Sequence, residues 1–366
     1  MLNRFSIQLQ WRQHRARTAL PCMVPVAICL AAGLWCGNPL VGMVAASGAF
    51  SVGMGSFQQL GRSRVAPMIW ATAGMAVSTL GGSLVSHSSL AGTLFNAAWA
   101  GFGGGMLLAL GTGAFWIGLQ CGIFAIVASG YPVGLELAAT RAGLILAGGA
   151  LQTLFVLGLW RVRATIHPGE TEDPFPGFSS ALPALWRALR ERGEIFQYAV
   201  RQGLTVAAAA ELARSLGLAN GYWVPMTALI VLKPGFRETF QRGLERVVGT
   251  LLGAALATLL VHALRLEPIT VAVLVVVFAW GSYALLNVNY GLFAVFLTGY
   301  IVFLLDFGGL STQAVVARRT VNTALGGGLA LLSYVTVLLR LWFAPGSLPH
   351  GAAEQIQPTG TDIHAG

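Results

Sequence analysis

Two arginine-led stripes carry most of the chemistry that this chain can do. Arg246, Thr250 and Gly253 share the spacing Arg-x3-Thr-x2-Gly with Arg319, Thr323 and Gly326. At about 3.6 residues per turn the three positions fall on one helical face, so each stripe presents a guanidinium, a hydroxyl and a bare patch of backbone. A guanidinium holds carboxylate or phosphate oxygens through a planar fork of N–H donors, so the chemistry these stripes suit is recognition of an anion. Both stripes have echoes in the first half of the chain. Arg141, Gly148, Gly149 and Leu151 recur 178 positions later as Arg319, Gly326, Gly327 and Leu329, while Asn38, Gly53, Gln59, Gly61 and Arg64 recur 182 positions later as Asn220, Gly235, Gln241, Gly243 and Arg246. The candidate path residues are therefore Arg64, Arg141, Arg246, Thr250, Arg319 and Thr323, with Asn38 and Asn220. Their expected arrangement is two basic rings between two similar half-bundles, Arg64 and Arg246 near one membrane face and Arg141 and Arg319 near the other.

Other charged groups invite narrower readings. Glu211 and Arg214 are three apart and read as an intramembrane pair, with Glu211 a candidate for proton coupling. Asp306 is placed to meet Arg318 or Arg319. Asn287 and Asn289 read as loop or cap residues, and Arg62, Arg237 and Arg242 as anchors that orient the chain by their charge. Cys22, Cys29 and Cys36 are seven apart on one face; small apolar packing is the simpler reading, and no metal or other cofactor is expected. The histidines show no ligand spacing. Lys233 is the single lysine and precedes Pro234, so there is no phosphate-cradling GxxxxGK[ST] loop. With no paired carboxylates, histidine clusters or nucleophile-and-base spacings in the apolar stretches, the chain does not read as an enzyme.

The elements that must position these residues are membrane helices. Of 366 residues 55% are hydrophobic and 10% charged, and the mean hydropathy is +0.71, a balance that a water-solvated surface does not tolerate. The 47 glycines agree, since small residues let membrane helices approach closely. Apolar windows predict twelve spans, near 18–36, 39–55, 65–86, 91–110, 112–130 and 141–160 in the first half and 197–217, 221–233, 246–264, 269–286, 290–306 and 318–340 in the second. The expected fold is thus all-α and polytopic, with two parallel six-helix repeats at 1–160 and 197–344. The short segments 39–55 and 221–233 are candidates for broken or re-entrant helices, tolerated in a bilayer only where they line a cavity. A linker at 161–196 holds the polar, Pro-rich run HPGETEDPFPG and an amphipathic helix over 180–195 expected along the cytoplasmic face; the tail 345–366 reads as disordered. With both termini inside, 17 of the 22 cationic residues fall on the cytoplasmic side, so the first span reads as an uncleaved anchor and the positive balance as orientation and contact with anionic lipid. Nucleic acid is not expected as a partner, because the arginines are scattered over short loops.

The run GYWVPMTALIVLKPGFRETFQRGLERVVGTLLGAALA, residues 221–257, resembles the signature region of the fusaric-acid-resistance family of integral membrane transporters, which includes bacterial aromatic-acid efflux proteins and is related to plant aluminium-activated malate transporters. The matching positions are Trp223, Val224 and Pro225, the loop Lys233 to Arg237, and Arg246, Thr250 and Gly253. The resemblance implies paired six-helix bundles around a path, a bacterial inner membrane, and efflux of small organic anions, aromatic or carboxylated, driven by an ion gradient, with a periplasmic adaptor or a second copy as partner. Two other readings stay open at this point: a passive anion channel, and a non-transporting membrane scaffold whose contact site is the linker helix.

Overall fold

The computed structural model describes residues 11–166, 181–264, 267–310 and 312–335. The Pro-rich linker run and the tail from 345 lie outside the described residues. Thirteen helices follow one another within them: α1 (Ala16–Trp35), α2 (Pro39–Gly55), α3 (Val65–Val85), α4 (Ser89–Leu110), α5 (Thr112–Ser129), α6 (Leu135–Ile166), α7 (Ala181–Glu191), α8 (Glu194–Ser215), α9 (Trp223–Val231), α10 (Phe236–Ala263), α11 (Pro268–Leu285), α12 (Tyr290–Phe307) and α13 (Thr312–Leu332). Extended pairing among the described residues is confined to an isolated bridge between Leu60 and Ser63. Each of the twelve expected spans falls on a helix, and α7 is the amphipathic helix between the halves. Eight helices are long and apolar enough to cross a membrane, and α2 is a shorter apolar one; the chain is an all-α, multi-pass membrane protein.

Two helices depart from simple spans. The nine residues of α9 rise only about 13 Å, less than half of a hydrocarbon core of about 30 Å. It is a half-helix, entered through the turn at Gly217 to Gly221. The second departure was not expected: α4 is α-helical to Phe95, π-helical over Asn96–Gly103 and tightens into a 3-10 turn at Leu107–Leu110. The cause lies in its neighbour α8. A Cβ at Gly101 would collide with the backbone of Gly203, and one at Gly105 would press on Ala199, so the glycines bring the two helices into backbone contact while the wide turn absorbs the mismatch.

The two halves share one packing pattern. α3 packs on α5 and α6 as α10 packs on α12 and α13; α2 packs on α6 as α9 packs on α13; and α1 lies against α11 as α8 lies against α4. Adding 178 to the bounds of α5, Thr112 and Ser129, gives the bounds of α12, Tyr290 and Phe307, and the same shift carries the last residue of α3, Val85, to that of α10, Ala263. Glycines agree to within one residue: a Cβ at Gly148 would strike the carbonyl of Ala45, and one at Gly326 that of Val224. The shift of 182 suggested by Asn38 to Arg64 is therefore one helical turn out of step with the packing. Under the shift of 178 the counterpart of Arg64 is Arg242, and the counterpart of Arg246 is Met68, which is fully buried. Expecting Arg64 and Arg246 to be equivalent is corrected accordingly.

Besides the contacts of α1 with α11 and of α4 with α8, the halves meet at α2. Tyr283 on α11 donates its hydroxyl to the Phe50 carbonyl at 2.9 Å, and Tyr300 on α12 reaches the Ala46 carbonyl at 3.5 Å with its ring stacked on Phe50 at 3.8 Å. Two carbonyls one turn apart on one helix thus receive tyrosines from two helices of the other half. Bonds of this kind hold an interface that lipid itself does not drive together.

Candidate functional site

Arg246 on α10 and Arg319 on α13 are the two largest fully buried side chains among the described residues, each 1% exposed. Arg246 is ten residues into α10 and Arg319 seven residues into α13, depths of about 15 and 10 Å along their helices. They feel one another as like charges. The expected two rings at opposite faces are thus replaced, in the second half, by a single cationic centre inside the bundle. Thr250 and Thr323, one turn after each arginine, are buried with them.

What this centre lacks is acceptors. Among the described residues no hydrogen-bond partner reaches Nε, Nη1 or Nη2 of Arg319, or Nε and Nη1 of Arg246. The hydroxyls of Thr250, of Thr227 on α9 and of Thr298 on α12 are likewise buried and unpartnered. Arg319 rests instead on an aromatic face, its guanidinium 5.5 Å from the Trp223 ring at the start of α9. A ring quadrupole steadies a cation without neutralising it, whereas a carboxylate would do both. Taking even one unpaired ion out of water costs several kcal/mol. Two such ions buried in one bundle, each within range of the other's charge, mark a site for something negative.

The charge continues in both directions. One turn before Arg246, Arg242 lies 3.5 Å from the centroid of the Tyr290 ring, with its Nε and the Tyr290 hydroxyl unpartnered. Lys233 follows, in the connector Leu232–Gly235 beyond the end of α9, with Nζ 5.2 Å from the Phe115 ring. Burial first, then the charge of Arg242, push the Lys233 ammonium down to about 7, with Glu238 pulling the other way. At the opposite end Arg318 is exposed and donates to Asn220 Oδ1 at 3.0 Å. Lys233, Arg242, Arg246, Arg319 and Arg318 thus form one file through the second half.

The remaining predicted residues serve other ends. Asn38 caps α2, accepting from the Val41 amide at 3.4 Å. Asn220 holds the turn before α9: its φ is +55, its Nδ2 donates to the Tyr131 hydroxyl, and its carbonyl accepts from Asn322. Asn289 caps α12 through the Leu292 amide. Arg64 is exposed at the start of α3, and Arg141 is partly buried, donating to the Tyr131 carbonyl at 2.8 Å. Because Met68 and Ile145 stand where the second half has Arg246 and Thr323, the first half has no matching cationic centre. Glu211 and Arg214 do pair, at 2.6 Å, with both side chains about half exposed, 49% and 42%. Arg214 also holds Ser89 O at 3.0 Å and Thr93 Oγ1 at 2.6 Å beside a cleft of about 240 Å³ between the halves. Asp306 ends α12 without reaching the guanidinium nitrogens of Arg319, which have no hydrogen-bond partner. Cys22 and Cys29 are buried in the core and Cys36 is exposed; no metal-binding cluster occurs among the described residues.

Sequence reasoning missed Arg242 and Tyr290. The spacing of Arg242 and Arg246, four residues on one helix, was the available signal; Tyr290 comes from another helix and left none.

Residues 206–333 match the family described as Fusaric acid resistance protein-like, a stretch holding Lys233, Arg242, Arg246, Arg318 and Arg319 together. The chain is 30% identical over 151 residues to Uncharacterized protein ORF2 of Neisseria gonorrhoeae, covering 40% of this chain and 36% of that protein. It is 30% identical over 172 residues to the Inner membrane protein YccS of Escherichia coli (strain K12), covering 45% of this chain and 23% of that protein. A third relative, YhfK of the same organism, is 29% identical over 145 residues, 40% of this chain and 21% of that protein. The matched region spans well under half the length of each of these relatives. No solved structure matches the chain.

Proposed function

Starting from a multi-pass membrane protein whose second half is fusaric-acid-resistance-like, we propose that it transports small organic anions, aromatic or carboxylated, along the file from Lys233 to Arg318. The observation that carries this reading is the pair of buried, like-charged guanidinium groups in which all three nitrogens of Arg319 and the Nε and Nη1 of Arg246 have no partner among the described residues. An anion between Arg246 and Arg319 would offset their repulsion and fill their donors at once. The half-helix α9 adds to the field, since its N-terminal residue Trp223 is the one against Arg319, and the positive end of a helix dipole favours negative charge there. The aromatic faces of Trp223 and Tyr290 beside the cations suit a substrate that carries a ring as well as a carboxylate. Fusaric acid is itself an aromatic carboxylate, so the family description agrees with this chemistry and supports export as the direction. By the positive-inside rule the Lys233 end faces the cytoplasm of a bacterial inner membrane. An ion gradient is the proposed source of energy.

The test is flux of labelled benzoate across liposomes containing the purified full chain. Arg246→Gln and Arg319→Gln should each lower the rate by about tenfold or more, the loss of one charge-assisted contact of about 1.4 kcal/mol or greater. The exposed Arg237→Gln should not. Equal flux in all variants at matched incorporation would remove the centre from the path.

A further inference from the structure

The buried arginines bind an anion already within the bundle, and what brings it there is a separate question. Lys233 is the single lysine of the chain and sits where the half-helix α9 gives way to its connector. No hydrogen bond or ion pair of its Nζ is found among the described residues, and Nζ stands 5.2 Å from the Phe115 ring of α5. The connector itself is immobilised by others. The Lys233 amide donates to Thr239 Oγ1 at 2.9 Å, Tyr198 donates to the Leu232 carbonyl at 3.1 Å, and both Arg201 and Tyr334 donate to the Pro234 carbonyl at 2.9 Å. An ammonium is thus fixed in place by its backbone while its own charge is left uncommitted.

The surroundings add positive charge. The ionisable neighbours are Arg242 and Glu238 on α10, Arg201 and Tyr198 on α8, and Tyr334 after α13; α5 offers only a ring, and α9 has no ionisable side chain. Two arginines against one carboxylate leave the mouth cationic, and Arg242 stands one turn before Arg246.

Resting on the anion-transport reading, we infer that Lys233 is the first binding post of the path: it takes a carboxylate at the mouth and passes it to Arg242 and then to Arg246. A lysine suits capture and release better than an arginine does. Its ammonium is a compact charge on a flexible stem that holds an anion by charge, without the fixed bidentate geometry of a guanidinium. Because burial and Arg242 push this ammonium down to about 7, capture weakens as the pH rises through neutrality. A bound carboxylate stabilises the charged form and moves the titration up.

Reductive methylation with carbon-13 formaldehyde labels the amines of the full chain in lipid nanodiscs, and the signal absent from Lys233→Arg identifies Lys233 beside the terminal amine. The expected result is a titration midpoint near neutrality that moves upward on adding benzoate and upward also in Arg242→Gln. A midpoint at the ordinary lysine value, or one that ignores benzoate, overturns the inference. The two proposals separate cleanly. If Arg246→Gln abolishes flux while the Lys233 signal ignores benzoate, the binding post fails and transport stands. Should benzoate move the signal while flux ignores Arg246→Gln, the buried centre leaves the path and anion binding at Lys233 stands without it.

Discussion

At the scale of single residues, Arg246 and Arg319 stand out among the described cationic side chains because they are fully buried and leave guanidinium nitrogens without hydrogen-bond partners. Arg214 has Glu211, Arg201 has two backbone carbonyls and the Tyr334 ring, and Arg141 has the Tyr131 carbonyl. Replacing Arg64 by Gln should leave benzoate flux near the wild-type rate, because its packing counterpart is Arg242 and the position matching Arg246 holds Met68; a loss as deep as that of Arg246→Gln would reinstate two equivalent rings. Lysine at 246 or 319 should restore flux only in part if the anion is held by paired N–H donors. Lys233 has a stability signature of its own. Its ordinary value of 10.5 falls to about 7 in the fold, so between those values unfolding takes up a proton and a rising pH favours the folded state. Thermal unfolding in detergent should therefore occur at increasing temperature from about pH 7 to pH 9 through this group, and Lys233→Met should flatten that part of the profile.

At the scale of elements, the shortness of α9 and the π-turn of α4 are the two irregularities, and both sit beside α8. The half-helix lets the connector Leu232–Gly235 turn back inside the bundle, which puts Lys233 and Arg242 on one side and Trp223 on the other side of Arg246. Gly326 is what allows α13 to lie on α9. A Cβ there would strike the Val224 carbonyl, so Gly326→Ala should destabilise the protein by about 1–3 kcal/mol as backbone is forced aside. Gly328, with nothing near a built Cβ, is the matched control, and its alanine variant should melt like the wild type. The Glu211–Arg214 pair lies beside a cleft with both side chains about half exposed, a setting in which an ion pair is weak when water reaches it. Substituting both with alanine should then give little more than the sum of the single effects, and Arg214→Ala alone should be the worse of the two because it also releases Ser89 and Thr93. Strong mutual rescue in the double variant would return the pair to a low-dielectric setting.

For the whole molecule, the duplication is symmetric in packing and asymmetric in chemistry. The halves share their helix order and contacts, yet among the described residues only the second carries fully buried arginines with unpartnered nitrogens, so the proposed anion path belongs to one half. The tyrosines of α11 and α12 bond to α2 across the two halves. Tyr283→Phe removes a single buried bond to the Phe50 carbonyl, and a loss of about 1 kcal/mol is expected in thermal unfolding, with Tyr300→Phe smaller because its bond is longer.

Membrane class, helix positions and the duplication were legible in the sequence, for a physical reason: hydropathy and glycine content are summed over some twenty residues, and a bilayer allows backbone few alternatives to helix. The stripes Arg246–Thr250–Gly253 and Arg319–Thr323–Gly326 were legible too, since helical periodicity alone puts them on one face. Tertiary structure decided what the stripes do. Whether Arg246 and Arg319 meet depends on how far each lies along its own helix and on the half-helix between them, and neither is a local property of the chain. The offset of 182 misled because a match of five residue types across a loop outweighs, in sequence, the helix ends: α10 begins about two turns before the position that corresponds to the start of α3. Exposure separated Glu211–Arg214, three apart and half exposed, from Arg246, which is buried. Burial is set by what other helices bring to a residue, and for Arg319 the ring of Trp223 and the charge of Arg246 come from α9 and α10, almost a hundred and more than seventy residues away in the chain.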